Sequence, residues 1–158
     1  MLKALSGKTL VTAESCTGGG IGAALTSISG SSAVYMGGII SYTNDVKADV
    51  LGVGREVLAQ HGAVSAPVAA AMANGVRRLL HADVAVSVTG LAGPGGDEYG
   101  NPVGTVFIGY EDDTQAFVKK FLFKGDREAV RNQTIEMALK IVLVPSTSVL
   151  PVPSVLTS

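Results

Sequence analysis

Apolar residues along this chain fall into short β-branched runs, helical stripes between them, and two alternating runs in the second half. Lys8-Thr9-Leu10-Val11-Thr12-Ala13 is short and bounded by Gly7, which predicts a buried strand. Ile21 to Leu25 predicts a helix after Gly18-Gly19-Gly20, and Gly30-Ser31-Ser32 a loop. Val34 to Ser41 predicts a second strand, followed by a short helix from Val46 to Leu51 with Asn44 or Asp45 as its cap. A second short helix, Arg55 to Gln60, stops at His61-Gly62. Ser65-Ala66-Pro67 opens a longer helix, and Ala69 to Leu80 continues it with residues small enough to approach a sheet closely. Asp83 to Thr89 is apolar enough for a central strand. Val103 to Tyr110 and Thr114 to Phe123 alternate and predict a hairpin across Glu111-Asp112-Asp113. Asp126 caps a final amphipathic helix from about Arg127 to Val144.

Helices alternating with the first strands, then a hairpin, predict an α/β fold: a single three-layer α/β/α domain over residues 1–144 with a mixed, mostly parallel sheet. From Pro145 the composition shifts to Ser, Thr, Pro, Val and Leu without charge, so 145–158 is expected to be a disordered or loosely docked tail. The 158 residues are enough for one ordinary core, at 47% hydrophobic and 16% charged. Net charge is −1 with scattered basic residues, which argues against a nucleic-acid partner. The lone Cys16 forbids an intrachain disulfide. No apolar run approaches the roughly 20 residues that span a bilayer, and Met1 to Leu10 is broken by Lys3, Ser6, Gly7 and Lys8. The expected setting is the cytoplasm, away from membranes.

Ligands in open α/β sheets gather beyond the carboxyl ends of the strands. Three segments are expected there: Glu14 to Gly20, Tyr42 to Lys47, and Thr89 to Gly96. Ser15 stands where the first strand ends and a helix begins, and is the first candidate nucleophile. It needs a base. His61 and His81 fall at helix ends and read as capping or solvated residues. Lysine is the alternative, because burial favours its neutral form, and Lys47 lies in the edge cluster; its plainer reading is a solvated residue on a short helix. Cys16 is a rival nucleophile, or simply a small buried residue, and Thr17 reads as the helix N-cap. The Thr89 to Gly96 loop is either a connection or a wall whose N–H groups approach a ligand. Arg127 and Arg131, four apart, either clamp a phosphate or pair with Glu128 at the surface. Gly18 to Ala23 satisfies a dinucleotide glycine pattern but lacks its strand and acidic partner. No Gly-Lys-Ser/Thr occurs, and His and Cys are too few for a metal site.

The stretches TAESCTGG, GSSAVYMGGIISYTNDVKADVLGV, LAQHGAVS, VSVTGLAGPGG, NPVGTV and KGDREAVR resemble, in order, the CinA C-terminal domain family, the competence/damage-inducible proteins that include nicotinamide mononucleotide deamidases. The resemblance implies the same α/β/α architecture and hydrolysis of the nicotinamide carboxamide to nicotinate mononucleotide and ammonia. It places a Ser/Lys dyad on Ser15 and Lys47, with Tyr42 orienting the base and Asn44 matching a family position. It implies an oxyanion held by backbone N–H groups around Cys16 to Gly19. Substrate contacts are then expected from Thr17, Gly18, Gly19, Asn44, Thr89, Gly90 and Gly93, with Arg127 and Arg131 on the phosphate. No metal or organic cofactor is expected, and the partner is the nucleotide substrate. The rival expectation is a catalytically silent nucleotide-binding or protein-interaction module. Only about seven residues precede the first strand, where the family carries a longer helix. A second subunit is the expected cover, making a homodimer.

Overall fold

Apolar patterning and turn chemistry translate directly into the element order of the computed structural model, which describes residues 3–145. The strands are β1 (Leu10–Glu14), β2 (Tyr35–Ile40), β3 (Val84–Gly90), β4 (Thr105–Glu111) and β5 (Ala116–Leu122). The helices are α1 (Gly20–Thr26), α2 (Asn44–Asp49), α3 (Arg55–His61), α4 (Ala66–Leu79) and α5 (Arg127–Leu143), with a 3₁₀ turn at Ser31–Ala33. The expected tail lies, beyond Pro145, outside the described residues.

The sheet order is β2-β1-β3-β4-β5. β1 pairs in parallel with β2 and β3, and β4 is antiparallel to both β3 and β5, so only β4 runs against the others. β1 is buried along its whole length, which explains its continuous run rather than an alternating one. Leu10 belongs to the core under α1 and α5, whereas Val11 and Ala13 belong to the core under α4. Three layers result. Val68, Met72 and Val76 of α4 are fully buried, each contributing about 1.5–3 kcal/mol of apolar burial.

The small residues of α4 do what their size permits. Ser87 Oγ of β3 donates to Ala69 O of α4 at 2.6 Å. Opposite it, a Cβ on Gly109 would stand 2.8 Å from Ala69 O, so helix and sheet touch through backbone there. Asp126 caps α5 as expected, accepting from Ala129 N at 2.9 Å. Two other caps differ. α2 is capped by Thr43, whose Oγ1 accepts from Val46 N, because the helix begins at Asn44 itself. α1 has Gly19 at its N-cap rather than Thr17, since the left-handed turn at Gly18 and Gly19 delays the helix by two residues.

Candidate active site

The parallel register brings the site together. Glu14 is level with Ile40 of β2 and Val88 of β3, so the residues just beyond, Ser15, Ser41 and Thr89, arrive at one edge of the sheet. Ser41 N donates to Glu14 O at 2.7 Å, tying the two strand ends. The turn into α2 then sends Lys47 back inward, and it is 1% exposed despite lying on a short surface helix.

Lys47 Nζ donates to Ser41 O at 2.6 Å, to Ser15 Oγ at 2.9 Å and to Tyr42 O at 3.3 Å. Burial pulls its ammonium from the ordinary 10.5 down to about 8. A neutral amine keeps two N–H groups and one lone pair. With the two carbonyls taking the N–H groups, the lone pair is left facing the Ser15 hydroxyl. Burial pushes the thiol of the neighbouring Cys16 up to about 11, which disfavours its thiolate, and Cys16 belongs to the apolar core.

The turn that carries Ser15 is held from two sides. Glu14, 2% exposed, accepts from Thr17 Oγ1 at 2.6 Å, Ile21 N at 2.9 Å and Gly22 N at 3.0 Å. Arg131 donates from Nε to Cys16 O and from Nη2 to Thr17 O, both at 3.1 Å. Gly18 N returns to Ser15 O and Gly20 N to Thr17 O.

Ser15 and Lys47 open on a cavity of about 500 Å³. Ala63 and Val64 line one flank, and Thr89, Gly90 and the backbone of Leu91 to Gly95 form the wall. Tyr42, Cys16 and Arg127 complete the lining. Arg127 donates to Gly93 O at 2.7 Å and to the Tyr42 hydroxyl at 3.2 Å. Of the sequence candidates, Ser15, Lys47, Tyr42, Thr89, Gly90, Gly93 and Arg127 therefore meet.

Thr17, Gly18, Gly19, Asn44 and Arg131 are not among the lining residues. Thr17 turns its hydroxyl to Glu14, Gly18 and Gly19 make the left-handed turn behind Ser15, and Asn44 is exposed at the start of α2. The Arg131 guanidinium is engaged by the turn carbonyls, so it neither pairs with Glu128 nor faces the cavity. The Tyr42 phenol is 59% exposed and reaches Arg127; its carbonyl, not its ring, contacts the lysine. Of the expected oxyanion amides, Gly18 N is taken by Ser15 O in closing the turn. Glu14, Ser41 O and the Ala63-Val64 flank were not singled out from sequence. For Glu14 a signal existed: an acid six residues before a helix start that has no side-chain cap of its own.

An α/β/α protein with a buried serine–lysine contact at the ends of parallel strands, facing a backbone-walled cavity, is the class this geometry defines. Residues 2–144 match the model of the CinA C-terminal domain. The chain belongs to the CinA C-terminal domain family. It is 50% identical over 136 residues to a CinA-like protein of Parasynechococcus marenigrum, covering 85% of this chain and 32% of that protein. The chain thus spans about a third of the length of the CinA-like relatives it matches. Against the nicotinamide-nucleotide amidohydrolase PncC of Escherichia coli it is 46% identical over 135 residues, 85% of this chain and 82% of that one. A CinA superfamily protein of Klebsiella pneumoniae superposes with a TM-score of 0.87 at 38% identity, covering 89% of each chain. Among the described residues no helix is long and apolar enough to cross a membrane.

Proposed function

We propose that this chain hydrolyses the carboxamide of nicotinamide mononucleotide to nicotinate mononucleotide and ammonia, in pyridine-nucleotide salvage. The observation that carries the reading is the 2.9 Å contact between Lys47 Nζ and Ser15 Oγ inside the cavity. The name of the E. coli relative, which this chain covers over most of its length, supports the substrate.

Neutral Lys47 accepts the Ser15 proton as Oγ bonds to the amide carbon. The carbonyl electrons move to oxygen, giving a tetrahedral oxyanion. Backbone amides facing the cavity are its stabilising donors; one such donor is worth about 3–4 kcal/mol in comparable sites. Collapse breaks the C–N bond, and the Lys47 proton leaves on ammonia. Water, deprotonated by the same amine, then releases the acid from the serine ester. With an amine titrating at about 8, a useful neutral fraction exists near neutral pH. Arg127 lines the cavity, with more N–H groups than its two bonds to Gly93 O and the Tyr42 hydroxyl use, and is our assignment for the phosphate.

The test is ammonia release from nicotinamide mononucleotide by the pure protein in the presence of a chelator. Turnover that disappears in both Ser15→Ala and Lys47→Ala supports the dyad. Turnover surviving Ser15→Ala but lost in Cys16→Ala moves the nucleophile by one residue, and a strict requirement for added metal overturns the mechanism. Nucleotide binding without any ammonia leaves a binding module.

A further inference from the structure

Glu14 is a carboxylate buried beside the nucleophile, yet it takes no part in the chemistry proposed above. It precedes Ser15 in the chain but faces the other way. Ser15 lines the 500 Å³ cavity, whereas Glu14 lines a separate recess of about 250 Å³ shared with Thr12, Gly22 and Tyr35. Both its oxygens are engaged. Oε1 accepts from Thr17 Oγ1 and Ile21 N, and Oε2 from Gly22 N and, at 3.3 Å, Thr12 Oγ1. Thr12 Oγ1 is in turn 2.7 Å from the Tyr35 hydroxyl.

These contacts converge on the turn that aims Ser15. Thr17 is the middle of that turn, and Ile21 and Gly22 are where the chain re-enters regular structure. On the opposite side Arg131 grips the carbonyls of Cys16 and Thr17. The turn is therefore held between a buried anion collecting its donors and a cation collecting its acceptors. An ionised carboxylate only accepts, which suits a position met by donors alone. Neutral side chains would leave amides and a hydroxyl without a partner, and the turn would relax.

We infer that Glu14 is a positioning residue: its carboxylate fixes the Ser15 turn against Lys47, so turnover depends on it while nucleotide binding does not. The inference rests on the proposed amidohydrolase reading. A displacement of about 1 Å in a reacting group costs on the order of 100-fold in rate. Glu14→Ala should therefore lower kcat by about that factor with KM changed less than about threefold.

Formate, small enough for the vacated space and reaching it through the recess, should restore kcat in Glu14→Ala and leave the parent unchanged. Glu14→Gln, which fills the space but turns an NH2 toward the donors, should lose kcat without formate rescue. Chloride at equal ionic strength is the control. If Glu14→Ala keeps its kcat, or if formate raises its melting temperature without restoring kcat, the group is only structural and the inference fails. A second readout separates this outcome from failure of the substrate assignment. The rate of Ser15 labelling by a fluorophosphonate needs no nucleotide. It should fall in Glu14→Ala and recover with formate even if nicotinamide mononucleotide proves inert, and equal labelling rates would overturn the inference.

Discussion

The two sides of the cavity are built on opposite principles. On the Ser15 and Lys47 side, each reactive group is buried and held by named partners: carbonyls orient the amine, while Glu14 and Arg131 hold the turn. The facing wall, Gly90 to Gly95, presents backbone, with Pro94 to Gly96 exposed at its tip. Its base is stitched down, Leu91 N donating to Thr105 O and Gly104 N to Leu91 O, and Arg127 pins Gly93 O. Beyond the tip, Asp97 gathers the amides of Tyr99 and Asn101. Fixed side-chain geometry is concentrated around Ser15 and Lys47. The cavity lies against the glycine-rich stretch Gly90 to Gly95.

The largest effects should fall on the held side. Ser15→Ala or Lys47→Ala should each reduce kcat for nicotinamide mononucleotide by about 10³-fold or more, and the double variant by little more than either alone, because the two act as a unit. Additive losses in steady-state assays would break the pairing.

Stability should carry the mark of the buried amine. The unfolded chain keeps the Lys47 proton up to about 10.5, whereas the folded one releases it at about 8. The penalty is fully present below pH 8, and the folded state gains stability as pH rises through that window. Relative to Lys47→Met, the parent should gain on the order of 3 kcal/mol between pH 7 and pH 10.5, measured by urea unfolding at each pH.

The same titration should govern rate. With chemistry limiting, kcat/KM should climb tenfold per pH unit below about 8 and level off above it, so that activity at pH 6 is about a hundredth of the plateau. A flat profile would mean that Lys47 is not the base.

Smaller effects should come from the wall and rim. Arg127→Ala should raise KM by about tenfold with kcat changed less, since it stands at the rim rather than at the reacting atoms. Within the wall, Gly90→Ala and Gly95→Ala should separate base from tip. A Cβ at Gly90 would stand 2.7 Å from Val106 Cγ2, 3.0 Å from Thr105 O and 3.2 Å from Cys16 Sγ, but one at Gly95 meets nothing within 4 Å. Thermal unfolding should show Gly90→Ala destabilised by about 1–3 kcal/mol and Gly95→Ala within about 0.5 kcal/mol of the parent.

Much of this molecule was legible along the chain. Short runs bounded by glycine marked β1 and β3, alternation marked β4 and β5, and Asp126 and Pro67 marked the starts of α5 and α4. These are local signals, set by backbone period and by which side chains satisfy a helix end. The place of Ser15 at a strand end was also readable, because the run of glycines after it marks where the strand stops. The N-cap of α1 was misread at Thr17, because the left-handed turn at Gly18-Gly19 postpones the helix and leaves Thr17 free to bond Glu14.

Lys47 shows where local reading ends. By sequence it is a polar residue on a short helix; only the parallel pairing of β1 with β2, which brings Ser41 and Ser15 together, supplies the carbonyls and the burial that lowers its pKa beside Ser15. Arg127 and Arg131 look equivalent as neighbours one helical turn apart, yet packing of α5 against the nucleophile turn sends one to the cavity and the other to carbonyls. Chain-local chemistry thus determined the elements and the position of Ser15 at a strand end. Long-range packing decided the burial of Lys47 and the partners of the groups around Ser15, because burial and dielectric belong to the assembled layers and not to any single segment.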